Sequence, residues 1–217
     1  MLMVRVQKRN QQVISWLLLG GAISAPLFFA IAIVQAFART GFDIRRHAIS
    51  TLTLGDAGWI QSANFVVTGG LAVLAALAIG SLLRGGKGGI AAPWLIGLYG
   101  FGMIGAGLFL PDPGQSFPPG APEGMPTEMS SAAAIHSFAF FAAFICLVAA
   151  CFVLARRFAA IRDRRWQRYC IATGILSPLL IAAGMIPGIW IGVMMGCAGM
   201  VVFGWVSLLC VRLRNGL

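Results

Sequence analysis

The chain has 217 residues, of which 59% are hydrophobic and 10% charged, and it carries a formal net charge of +10. Soluble domains carry about 25% charged residues, so the composition excludes a chain surrounded by water and points to an all-α polytopic membrane protein. The positive charge does not point to nucleic acid, because no basic stripe with interleaved aromatics lies in a stretch that could fold in water.

A helix that crosses a hydrocarbon core of about 30 Å needs about 20 mostly apolar residues. Six runs meet this length, at 13–38, 59–83, 90–110, 132–155, 169–186 and 189–211, joined by short connections that leave one transmembrane domain over 1–217. The first run follows Arg5, Lys8 and Arg9 and ends in Ala36-Phe37-Ala38, which imitates a secretory signal. Signal cores span about 7 to 15 residues, so this longer run is expected to be an uncleaved first helix.

The first connection, Arg39 to Trp59, is rich in polar chemistry: Asp43, Arg45, Arg46, His47 and Ser50 are candidate ligand-binding residues, with Asp56 close behind. Guanidinium forks suit phosphate or carboxylate groups, and carboxylates nearby could pair them into a lid over an outer pocket. The second run places Gln61, Asn64 and Thr68 at i, i+3 and i+7, one polar stripe that must face the bundle because lipid cannot satisfy it; Asn64 joins the candidates. Glycines 97, 100, 102, 105 and 107 crowd the third run. The third connection holds Pro111-Asp112-Pro113 and further prolines, which exclude helix and hold Asp112 where the third helix ends. His136 lies about one turn inside the fourth run, a depth at which ionisable groups usually face an interior cavity. His47, Asp112 and His136 are expected to converge, since all three lie at similar depth on one side.

From Tyr169 to Val211 the chain is apolar without a charged break. One straight helix of that length would run about 64 Å, twice the hydrocarbon thickness, so a reversal is expected at Pro187-Gly188. All five cysteines fall inside apolar runs, and no structural disulfide is expected.

Thirteen of the 16 basic residues lie in the N-terminus, the second and fourth connections and the C-terminus. The positive-inside rule therefore places both termini in the cytoplasm, with the protein in the cytoplasmic (inner) membrane. Both histidines and every acid except Asp163 then fall on the extracytoplasmic half.

The combination Arg45-Arg46-His47-Ala48-Ile49-Ser50 with Leu54-Gly55, Gly58-Trp59 and Asn64-Phe65, then Pro111-Asp112-Pro113, Phe117-Pro118-Pro119-Gly120 and His136, resembles the prokaryotic membrane family catalogued as domain of unknown function 998. That resemblance covers most of the chain. It implies a bundle of six or seven membrane helices and carries no activity with it.

Three functions suit these residues. The first is binding or handling of a lipid or small amphiphile at a polar extracytoplasmic-side pocket. The second is an intramembrane lipid hydrolase, with or without a metal; in helix number and in mixing Ser, Asp and His near one face the chain resembles the alkaline ceramidase group. Catalytic zinc takes three protein ligands, for which His47, His136 and Asp112 or Asp43 are the residues at hand. No HExxH, nucleophile elbow or phosphate loop occurs, and the sequence requires no cofactor. The third is a structural or assembly subunit. The expected partners are membrane lipids and no nucleic acid, with the Gly192/Gly196 pair and the Gly-rich third run suited to close contact between helices, in one chain or in a homo-oligomer.

Overall fold

The computed structural model describes residues 2–186 and 190–217. Among them the chain forms six helices, α1 (Leu2–Ala38), α2 (Gly58–Leu83), α3 (Ala91–Leu108), α4 (Ser131–Ala160), α5 (Arg164–Gly184) and α6 (Ile191–Arg214), and no strand. Each helix packs against the next, and α6 returns onto α1, so the six close into a ring in chain order. Neighbours run antiparallel. His136 near the start of α4 meets Ala106 near the end of α3, Trp166 at the start of α5 stacks on Phe158 at the end of α4, and Arg214 at the end of α6 donates to Ser15 in α1. The two chain ends therefore share one end of the bundle.

The chain is an all-α polytopic membrane protein. Five of its helices are long and apolar enough to cross a membrane by length and composition. α5 falls short because its first turns carry Arg164, Arg165 and Arg168, although it fills the place in the ring between α4 and α6. The helices also outrun the apolar stretches: α1 begins at Leu2 and α4 continues through Arg156 and Arg157 to Ala160. Lys, Arg and Gln are good helix formers, so nothing stops a helix where the hydrocarbon ends. The reversal expected at Pro187-Gly188 lies outside the described residues; α5 ends at Gly184, α6 begins at Ile191, and the two pack together.

Hydrophobic burial cannot hold apolar helices together in lipid, so close contact of small residues must do so. A Cβ on Gly100 would stand 2.6 Å from the Gly69 carbonyl oxygen, and one on Gly102 2.7 Å from that of Ala139. The glycines of α3 thus bring its backbone against α2 on one side and α4 on the other. Gly192 and Gly196 receive a loop instead of a helix, since side chains there would strike the His47 and Ile44 carbonyls and Ile49. Outward-facing apolar residues complete the pattern of a lipid-bathed surface. Trp59, Trp94 and Trp190 are all more than half exposed near helix ends, where indoles favour the membrane interface.

Candidate functional site

At the bundle end away from the termini, the loop from Arg39 to Ala57 is pinned by its first residue. The Arg39 guanidinium donates to the carbonyls of Leu52 (3.1 Å) and Leu54 and lies 5.5 Å from the Phe117 ring centroid. This holds a short 3-10 turn, Ile49–Thr53, and seats Leu52, Leu54 and Phe117 with Ala32 in a small apolar cluster of their own.

His47 is buried, and its hydrogen bonds determine its tautomer. Nδ1 accepts from the Asp43 backbone N–H at 2.9 Å, so the ring proton sits on Nε2, which donates to the Gln115 carbonyl at 3.0 Å. With Phe42 and Phe117 rings 5.5 and 5.3 Å from its own, it clips the first interhelical loop to the third. Both nitrogens are occupied, so His47 offers no lone pair to a metal or a substrate.

In the third loop, Gly114 and Phe117 pair across a tight turn whose central residues, Gln115 and Ser116, have φ of 55° and 64°. Both central residues at positive φ is the geometry usually filled by Asn-Gly, and it costs non-glycine residues about 1–2 kcal/mol each. Bonds from Gln115 N–H to the Gly124 carbonyl and from Ser116 N–H to that of Pro122, with the buried Phe117 ring, hold it in place. Asp112 caps the next helix. Its Oδ2 accepts from the Ser130 N–H at 2.8 Å while the Ser130 hydroxyl accepts from Ala133 N–H, and Ser130, through its hydroxyl and its N–H, holds the Asp112 carboxyl below its ordinary value.

His136 is the second buried imidazole, and its tautomer is the opposite one. Nδ1 lies 2.9 and 2.8 Å from the carbonyl oxygens of Ala106 and Phe109, which can only accept, so Nδ1 carries the proton. In the neutral ring Nε2 is then an acceptor, and it has no protein partner among the described residues. The ring lines a cavity of about 330 Å³. The cavity's inner wall is aromatic and aliphatic, with Phe28, Phe65, Phe140, Phe144, Met195 and Phe203 drawn from α1, α2, α4 and α6. Its mouth is polar: Arg46, His47, Ser50, Asp112 and Gln115 line it together with Ser137.

Five of the eight candidates, Arg46, His47, Ser50, Asp112 and His136, thus border one cavity, and Asp43, Arg45 and Asn64 do not. Arg45 pairs with Asp43 at 2.8 Å, and hydrogen bonds from the Arg45 side chain and backbone pull the Asp43 carboxyl down to about 2. An arginine thus meets a carboxylate as expected, but the Arg45 side chain is 59% exposed, which makes this a surface pair of small energetic weight. Arg46 forms no ion pair among the described residues.

Asn64 belongs to a separate buried knot between α1 and α2. The Phe28 carbonyl can only accept, so the Asn64 amide nitrogen faces it at 3.0 Å; the same nitrogen donates to Gln61 Oε1, which also accepts from Gln35 Nε2 at 2.8 Å. One fixed carbonyl therefore orients all three amides. Gln35 Oε1, Gln61 Nε2, Asn64 Oδ1 and Thr68 Oγ1 have no partner among the described residues.

Sequence reasoning missed Gln35, a lone amide in the last turns of an apolar run, and Gln115, whose φ is not encoded by any glycine. It also missed the aromatic wall, since a phenylalanine lining a cavity has the same local pattern as one in a core.

The chain belongs to the family described as protein of unknown function DUF998, whose model matches residues 22–212. The matched region begins within α1 and takes in the rest of the ring, with the loops that carry His47 and Asp112. Comparison with curated proteins and with solved structures finds no match.

Proposed function

We propose that the protein binds or handles a lipid or small amphiphile in the cavity bordered by His136, at the extracytoplasmic face of the cytoplasmic (inner) membrane. The observation that carries this reading is the division of the cavity into an aromatic interior and a polar mouth. An acyl or isoprenoid chain fits the interior, where ligand sites are predominantly apolar. A phosphate or carboxylate suits the guanidinium of Arg46, which has no ion pair within the described chain. His136 Nε2 adds an acceptor for a hydroxyl near the anionic group. The sidedness rests on the basic residues gathered at the other end of the bundle.

The test compares a fatty acid with the fatty alcohol of equal chain length, using the full chain in zwitterionic nanodiscs. The acid at about 100 times its dissociation constant should stabilise the wild type by about 2.7 kcal/mol, and the alcohol markedly less. Arg46→Ala should remove the difference, and Met195→Trp, which fills the apolar interior, should abolish stabilisation by either. Equal effects of acid and alcohol on the wild type, or an unchanged response in both variants, would refute the reading.

One observation favours a second reading as an intramembrane lipid hydrolase. Backbone carbonyls hold His136 with its Nε2 lone pair unpartnered, the arrangement a general base needs, and Ser50 and Ser137 line the same cavity. Hydrolysis of a lipid ester that disappears in His136→Gln while ligand stabilisation persists would establish it.

A further inference from the structure

A second hollow, of about 360 Å³, lies between α2 and α3 toward the basic end, away from the cavity at His136. Its length is apolar, formed by Val73, Ala76, Leu77, Leu98 and Phe101, and it opens to the bilayer, since Leu77 and Phe101 are 65% and 61% exposed. Missing side chains create it. A Cβ on Gly97 would make an ordinary contact with the Ala76 methyl, at 3.7 Å, and would meet nothing else within 4 Å, so the absence of a side chain here leaves room along the hollow.

At the basic end of the hollow stand Arg84 and Trp94, the indole 70% exposed at interface depth. Arg84 is exposed and is not needed to cap α2, because Arg157 Nη1 donates to the Leu83 carbonyl at 3.0 Å. The connection it opens, residues 84–90, contains Lys87 and no acid. An apolar trough as deep as a membrane leaflet, ending in uncompensated positive charge, is complementary to one kind of neighbour. A second copy docked here about a two-fold axis would set its own Arg84 and Lys87 against these, which like-charge repulsion opposes.

We propose that the α2/α3 groove is a binding site for an anionic phospholipid of the leaflet at the basic end, with one acyl chain along Gly97 and the phosphate on Arg84. Basic residues at this depth attract anionic lipids, and a groove that seats the chain turns that attraction into a site of defined stoichiometry.

Native mass spectrometry of the full chain, with equal amounts of phosphatidylglycerol and phosphatidylcholine of identical chains, tests the proposal. The wild type should retain one phosphatidylglycerol about fivefold in excess of phosphatidylcholine. Arg84→Ala should cut that excess to less than half, and Gly97→Leu should lower retention of both lipids. Arg45→Ala, at the opposite end and outside both hollows, should leave the excess intact, and glycerol phosphate, a head without chains, should not displace the lipid. Equal retention of the two lipids by the wild type, an excess that survives Arg84→Ala, its loss in Arg45→Ala, or displacement by glycerol phosphate would each overturn the site. Arg84→Ala changes an exposed side chain outside the packed ring, so the test stands even if Gly97→Leu does not fold.

Discussion

Thr68 carries a fully buried hydroxyl with no hydrogen-bond partner among the described residues, and it shares a helix face with the half-satisfied Gln61 and Asn64. A buried, unpaired polar group costs more than its apolar isostere, so Thr68→Val should stabilise the protein by about 1 kcal/mol, read as a higher thermal midpoint in detergent. A lower midpoint would mean that the hydroxyl is engaged. The carboxylates act in the opposite sense. Asp43 is pulled from 3.8 to about 2 by Arg45, and Asp112 is lowered by Ser130. A depressed folded value contributes stability that is present above the unfolded value and lost as pH falls through the folded one. Thermal midpoints should therefore hold steady down to about pH 4 and decline toward pH 2, and Asp43→Asn with Asp112→Asn should flatten that decline. An equally steep decline in the double variant would assign it to other groups.

Among the elements, the loops that carry His47 and Asp112 show how far residue order foretells geometry. The prolines around Asp112 exclude helix, and the chain is non-helical from Phe109 to Ser130. The turn inside that segment was not legible, because Gln115 and Ser116 adopt positive φ against their intrinsic preference and are held there by tertiary bonds to Pro122, Gly124 and His47. Ser116→Gly should remove part of that strain and stabilise by roughly 0.5–1 kcal/mol after the entropy of the unfolded glycine is counted. Gly55→Ala should do the reverse, since its φ is +73° and a Cβ would crowd Arg39 at 3.0 Å and Pro118 at 3.2 Å. Ser116→Gly lowering the thermal midpoint would contradict the strain argument. The His47 ring was legible as a special residue and not in its role: the i to i+4 bond from Asp43 and the long-range bond to Gln115 make it a clip between loops. Helix existence was legible throughout because hydrocarbon leaves the backbone few alternatives. Helix ends were not, since polar residues that good helix propensity keeps in the helix extend α1, α4 and α5 beyond the apolar runs.

For the whole molecule, antiparallel packing of α1 on α6 places both termini at one end, and the distribution of basic residues predicts that this end is cytoplasmic. A fluorescent protein fused after Leu217 should be bright in cells and alkaline phosphatase fused there inactive; the reverse pattern would invert the topology and move the His136 cavity to the cytoplasmic face. The His136 cavity joins polar side chains to an aromatic wall, so an amphiphile site there is tested most directly by locating a bound chain. A fatty acid with a terminal photoreactive diazirine, crosslinked to the protein in nanodiscs and mapped by peptide mass spectrometry, should label Phe28, Phe140, Met195 or Phe203, and Arg46→Ala should suppress that labelling. Labels confined to lipid-facing residues such as Leu77, Phe101 and Phe138, with Arg46→Ala without effect, would contradict an amphiphile site in the bundle.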